Sequence, residues 1–369
     1  KQYVKPRKAL KVMSRETQVG FSAAEIAWLD AKLDEHAVDP ERLGVISGSN
    51  MFCPDVVELA MPCHACDDGS QAFDFGRWGT SGMREMFPLW MLKYLPNMTP
   101  CHVGISHDAR GPTNSIVAGD TSGLLALIEG ADTIARGHAD VMLAGGVSTM
   151  LELMDLMWHG QARLSRRKSD PEQASRPFDA HRDGIIGAEA GAFLVLERRG
   201  HAEARGVSPL GFFNGYGRRS ESTAAGQAPT GQAVQQAVQA ALAAAGLAAD
   251  ELAFVAGHGM SCPRDDRMEA QALAQVIGDA PVCGMKSYYG HCGAASGALD
   301  VAMSLLALAD RTIPATLNYD TPDPECPVNV AADARSTSCQ TALAVSHRIT
   351  GQATALAFST HGGRPLSST

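Results

Sequence analysis

Three short polar stretches place acids, bases and a lysine among glycines. They are "VAGDTSG" around Asp120, "GHGMSCPRDDRMEA" with His258, Asp266 and Glu269, and "MKSYYGHCGAASGA" with Lys286 and His291. A carboxylate beside imidazoles is equipment for general acid–base chemistry. Each stretch follows a short apolar run of the kind a buried strand makes. In α/β sheets the ends of strands are where ligands and chemistry sit. A single histidine is commonly structural; two at strand ends, each followed by small residues, point to one shared site.

The elements that must unite these residues alternate along the chain. Periodicity predicts helices over 22–36, 121–136, 231–245, 266–277 and 293–309. Leu124, Ile128, Ala131 and Ile134 share one face of the second, and Gly246 stops the third. Strands are expected at 44–50, 140–146, 191–197, 252–259 and 280–287, with 341–347 and 353–359 as an antiparallel pair. The run "GAFLVLE" (191–197) has the continuous hydrophobicity of a fully covered strand. Residues 51–100, rich in Pro, Gly, Met and aromatics, read as a cap or excursion, and "GRRSESTAAGQAPTG" (217–231) as a polar, mobile linker. The class is α/β. A second half opens near residue 205, giving units 1–204 and 205–369.

With 369 residues the chain can bury a large core, and its net charge of −9 with no basic stripe argues against nucleic acid. No apolar run reaches membrane-spanning length. The nine cysteines, including Cys53 and Cys101, show no disulfide spacing, so a reducing cytoplasm is expected. Cys63-His64-Ala65-Cys66 is a lone CxxC and reads as an ordinary loop; no metal site is expected. The chain begins at Lys1 without a signal-peptide pattern, which suggests a start inside a longer gene product.

Five motifs, in order and in register, resemble the β-ketoacyl-acyl-carrier-protein synthases of the thiolase-like superfamily. They are "GPTNSI" (111–116), "RPFDAHRDG" with "GAEAGAFLVLE" (176–197), "HGMSCPRDDRMEA" (258–270), "KSYYGHCGAASGA" (286–298) and "TIPATLNYDTPDPECPVNV" (312–330). The resemblance runs from about residue 10 to 359. It implies a five-layered α-β-α-β-α fold of two duplicated halves, a dimer, and a first strand that lies before Lys1. It also implies chemistry: a cysteine at a helix N-terminus takes the acyl group, and two histidines assist decarboxylation of a malonyl thioester. By position the histidines are His258 and His291, supported by Lys286 and Glu269 as a pair. The substrate or ligand would be an acyl or malonyl group on the phosphopantetheine of an acyl carrier protein, with no other cofactor.

The nucleophile position, however, is Asp120. A carboxylate attacks thioesters poorly, and an acyl-aspartate would be a labile anhydride. Aspartate also suits a helix N-terminus simply as a cap. Beside His258 and His291 it should raise the imidazole pKa values. The family's late gating loop is altered as well: His347, Arg348 and Ile349 replace its aromatic-glycine pattern, and of its glycine pair only Gly351 remains. His347 and Arg348 either face Asp120 or lie in a surface loop. Met260 and Cys262 stand where the family carries threonines that hold the pantetheine arm. Three readings stay open. One is a non-condensing chain-length-factor-type subunit paired with an active ketosynthase. The second is a malonyl-carrier decarboxylase or acyl hydrolase or transferase using Asp120 with His258 and His291; the dimer is either a heterodimer with an active ketosynthase or a homodimer. The third is a non-catalytic acyl-binding homologue.

Overall fold

A computed structural model describes residues 2–33, 38–52, 54–70, 72–224 and 227–362. Its first sheet holds β1 (Leu43–Ser49), β2 (Thr113–Ile116), β3 (Val141–Thr149) and β4 (Glu189–Glu197) in the order β2-β1-β3-β4. Its second holds β5 (Phe212–Ser220), β6 (Leu252–Ala256), β7 (Val282–Cys283), β10 (Thr341–His347) and β11 (Gln352–Ser359) in the order β5-β11-β10-β6-β7. β8 (Thr312–Ile313) and β9 (Arg335–Ser336) form a small separate pair. β4 runs antiparallel to β3 and β11 antiparallel to β10, while β2-β1-β3 and β10-β6-β7 are parallel. The two sheets therefore repeat one arrangement. The difference lies beside the last strand: β11 pairs with β10 and β5, whereas among the described residues β4 pairs with β3 alone.

The helices that matter here are α1 (Arg15–Asp30), α2 (Val56–His64), α3 (Met98–Ser106), α4 (Ser122–Ala135), α5 (Leu153–Arg163), α6 (Gln232–Ala245), α7 (Pro263–Ile277), α8 (Lys286–Tyr289) and α9 (Ser296–Ala309). Phe21, Ala24 and Trp28 of α1 pack with Val103 of α3 on the outer face of the first sheet. Leu124, Leu127 and Ile128 of α4 and Ala298, Val301 and Leu305 of α9 share a core with strands of both sheets. Val234, Val238 and Leu242 of α6 and Leu273 and Ile277 of α7 cover the far face of the second sheet. The layers thus run α-β-α-β-α, as expected. Small residues let the two central helices meet. A Cβ on Gly123 would lie 2.6 Å from the Ala294 carbonyl oxygen, and one on Gly297 would lie 2.7 Å from Leu124 Cγ. That contact brings the starts of α4 and α9 together, and with them the turns that precede each helix.

Several boundaries differ from the sequence expectation. α1 starts at Arg15 rather than 22, because Ser14 caps it by accepting the Thr17 N–H at 3.2 Å, and it ends at Asp30; residues 34–36 of the expected helix lie outside the described residues. The strand expected over 252–259 stops at Ala256 and that over 280–287 shrinks to Val282–Cys283, since the chain turns at once into the polar loops of the site. β4 is not fully covered: only Ala192 and Phe193 are buried, as befits a strand with one partner. The excursion over 51–100 contains α2 and further short helices. Residues 217–220 complete β5, and the Glu221 carboxylate accepts the N–H of Thr230 at 2.9 Å and of Gly231 at 3.1 Å, so the supposed linker is pinned at both ends. Residues 225 and 226, and Cys53, fall outside the described residues.

One buried acid lies far from the polar motifs. Glu16 in the first turn of α1 is 3% exposed. Burial, with Asp155 and Glu152 nearby, pushes its carboxyl up to about 8. A raised acid costs nothing below its unfolded pKa and destabilises the fold as pH climbs toward the folded value. Glu16→Gln is therefore expected to leave stability near wild type at pH 4.5. At pH 9 it should add on the order of 4 kcal/mol, read from urea unfolding at the two pH values.

Candidate active site

The three polar stretches do meet. Asp120 sits in the one-turn helix Gly119–Thr121 that joins β2 to α4. His258 follows β6, Lys286 opens α8 after β7, and His291 lies between α8 and α9. Asp120, His258 and Lys286 follow the C-terminal ends of parallel strands, β2 of the first sheet and β6 and β7 of the second, the ends where such sheets place their sites. Asp120 Oδ1 lies 3.3 Å from His291 Nε2, and Asp120 Oδ2 lies 3.9 Å from His258 Nε2. The His258 and His291 rings are edge-to-face with centroids 5.7 Å apart. Both imidazoles are buried, and the Asp120 side chain is 14% exposed.

Burial holds the His258 pKa well below the ordinary histidine value, and the positive charges of Lys286, His347, His291 and Arg163 reinforce it. The expectation that Asp120 would raise it is overturned: loss of water outweighs one carboxylate at 3.9 Å. His258 is therefore a neutral imidazole at pH 7. Among the described residues neither of its ring nitrogens has a hydrogen-bond partner.

The supporting pair differs from the expected one. Lys286 bonds Asp300 on α9 at 3.2 Å, not Glu269, and both groups are fully buried. Tyr289 donates its hydroxyl to the other oxygen of Asp300. Burial raises the Asp300 carboxyl, and Lys286 and Tyr289 oppose that rise. Asp300 is not among the residues that the motifs single out. Its only signal is a lone acid within the apolar run "SGALDVAMSLLALA".

Glu269, on α7, instead accepts the backbone N–H of His258 at 2.6 Å and of Gly259 at 2.8 Å. It also faces His347, whose Nε2 is 3.6 Å away. Asp266 is also a brace: its fully buried carboxyl, raised to about 6 by burial, accepts the N–H of Phe178, Met260 and Ser261 at 2.9–3.1 Å. Asp179, in the "RPFD" motif, accepts Arg176 and the N–H of His181, Asp320 and Thr321. These motif acids shape the loops that aim the histidines.

The expected gating loop is no loop for most of its length. His347 ends β10 and is buried, 3% exposed, so it does not belong to a surface segment. Arg348, Ile349 and Gly351 form a tight turn into β11, closed by the Gly351 N–H on the Arg348 carbonyl at 3.0 Å, with Gly351 at φ 85°. Arg348 lies over the bend that bears Asp120; a Cβ on Gly119 would come within 2.6 Å of its Nε. Met260 and Cys262 are buried against Ile185. Arg163 from α5 reaches Met260 Sδ at 3.5 Å and Asp265 at 3.0 Å.

No thiolate replaces the missing one among the described residues near Asp120. Burial pushes Cys292, next to His291, up to about 12, and Cys262 up to about 11. Both stay thiols at neutral pH. Cys63 is exposed and Cys66 buried, and no group of three or more His, Cys, Asp or Glu among the described residues has the arrangement of a metal site. No helix among them is long and apolar enough to cross a membrane.

Comparison with known proteins agrees with the geometry. The β-ketoacyl synthase N-terminal domain family matches residues 3–202, and its C-terminal domain family matches residues 210–320. The ketoacyl synthase alpha subunit of the tetracenomycin polyketide synthase from Streptomyces glaucescens is 32% identical over 343 residues, covering 89% of this chain and 78% of that one. A β-ketoacyl synthase structure from Burkholderia phymatum STM815 aligns with a TM-score of 0.85 at 30% identity, over 96% of this chain and 84% of that one. The ishigamide ketosynthase/chain length factor structure aligns with a TM-score of 0.82 at 25% identity, over 96% and 84%. The chain belongs to the β-ketoacyl synthase family and has its thiolase-like fold.

Proposed function

We propose that this protein is a non-condensing ketosynthase-like subunit of fatty acid or polyketide synthesis. It would pair with an active ketosynthase as a chain length factor does and shape the site that holds an acyl group on its carrier protein. One observation carries the reading. The position that needs a thiolate holds Asp120, 3.3 Å from His291, and the nearby thiols of Cys292 and Cys262 are held protonated by burial. An acyl chain cannot be stored there between steps.

Surface chemistry supports a partner. Segment 51–117 leaves Val57, Met61, Phe75, Met83, Met91 and Ile105 more than half exposed. So many exposed large apolar side chains in one segment favour a surface covered by a partner. The ketosynthase/chain length factor neighbour is an assembly of the kind proposed. Co-expression with an active ketosynthase is expected to yield a heterodimer whose product length changes when this subunit is exchanged. A protein that stays homodimeric and never alters product length would refute the reading.

A second reading rests on the retained imidazoles. Neutral His258, whose ring nitrogens are both unbonded among the described residues, could stabilise the enolate left by decarboxylation of a malonyl thioester. The charge of Asp120 opposes it, because a malonyl carboxylate would enter beside another anion. Carbon dioxide release from malonyl-carrier, above the His258→Ala background, would favour this alternative.

A further inference from the structure

His347 is the residue that neither the fold nor the proposed function explains. Its ring is buried at the end of β10 and touches two parts of the site at once. Nε2 is 3.6 Å from Glu269 Oε2, and the ring meets His258 edge-on with centroids 4.6 Å apart. Glu269 in turn holds the His258 and Gly259 amides. β10, α7 and the loop after β6 are thereby tied through one imidazole.

We propose that His347 is a positioning residue of the Asp120 site: paired with Glu269 and set edge-on against His258, it clamps the His258 loop and fixes that ring with Nε2 toward Asp120. The proposal needs the Asp120 cluster to be the functional site but does not depend on the subunit reading. The charged groups that act on His347 are Glu269 and Asp265 on α7 and Asp120 on its turn; its ring meets His258, which Lys286, His291 and Arg163 act on in turn, and Arg348 follows it in the chain. Burial alone would lower the His347 pKa; the bond to Glu269 and the charges of Glu269, Asp265 and Asp120 more than offset it and raise it. A raised histidine stabilises fully below its unfolded pKa, and that contribution is lost as pH rises through the folded value.

Histidine-resolved NMR on the whole chain tests this in the wild type and in His347→Gln and His347→Phe. In the wild type at pH 6.5, His347 should be doubly protonated and His258 neutral. In both variants the His258 and Gly259 amides should exchange roughly tenfold faster, as expected when bonds to a charged acceptor loosen. His258 should also titrate at higher pH, since a neighbouring positive charge is gone. The unfolding temperature of His347→Gln should drop about 3 °C further at pH 6 than at pH 9. A merely space-filling His347 would show none of this in the Phe variant. A neutral His347 in the wild type at pH 6.5, or unchanged His258 titration and amide exchange in the folded variants, overturns the proposal. Failure to dimerise with a ketosynthase would instead count only against the subunit reading.

Discussion

Asp300→Ala is expected to destabilise the protein by about 3–5 kcal/mol, the usual result of stranding one member of a buried ion pair. Lys286 and Asp300 are both fully buried and 3.2 Å apart. Removing the carboxylate leaves an ammonium without its counter-ion and the Tyr289 hydroxyl without its acceptor. Replacing both charges tells a different story. Lys286→Met with Asp300→Leu should recover most of the loss, because an apolar pair of similar volume avoids the desolvation cost altogether. Urea unfolding of the two single variants and the double variant gives the coupling directly. A double variant as unstable as the sum of the singles would mean that the pair is not the unit described here.

Asp120→Cys is expected to turn a chain that takes no acyl group into one that does. The wild type, incubated with an acyl thioester, should show no mass increase at residue 120. In the variant the new thiol would start at the N-terminal end of α4 with the His258 and His291 imidazoles within reach of its position. A helix N-terminus depresses a thiol pKa, and even a fall from about 8.5 to 7 raises the thiolate fraction at neutral pH roughly tenfold. The variant should therefore acquire one acyl group, mapped by peptide mass to position 120, faster than any native cysteine. An unreactive thiol at that position would point to Arg348, which overlies Gly119, as an obstruction of the entrance. Stable acylation of the wild type would refute the non-condensing reading outright.

Much of this architecture is legible in residue order, and the exceptions have physical causes. The central helices announce themselves through spacing: Leu124 and Ile128 in α4, and Val234, Val238 and Leu242 in α6, each form one apolar stripe. The antiparallel pairing of β10 with β11 follows from two alanine-rich runs separated by a short turn. Asp120, His258 and His291 can be found because motif order survives even where the nucleophile does not. What escapes is long-range pairing. Whether Lys286 turns to Glu269 or Asp300 depends on where α7 and α9 lie in space. The burial of His347, the last residue of the expected strand 341–347, likewise depends on how α7 and the His258 loop pack against that strand end. The α1 boundary is hidden because the buried positions Thr17, Gly20 and Ala24 are small residues that carry little hydrophobic signal.

The unequal partnering of β4 and β11 has a practical consequence. β11 is shielded on its outer side by β5, while the same side of β4 has no such cover among the described residues. The main-chain amides and carbonyls on that side of β4 are therefore where the counterpart of β5 would pair in the repeated arrangement. A strand added along residues 189–197, as β5 is along β11, should slow the exchange of those amides without disturbing the histidine cluster.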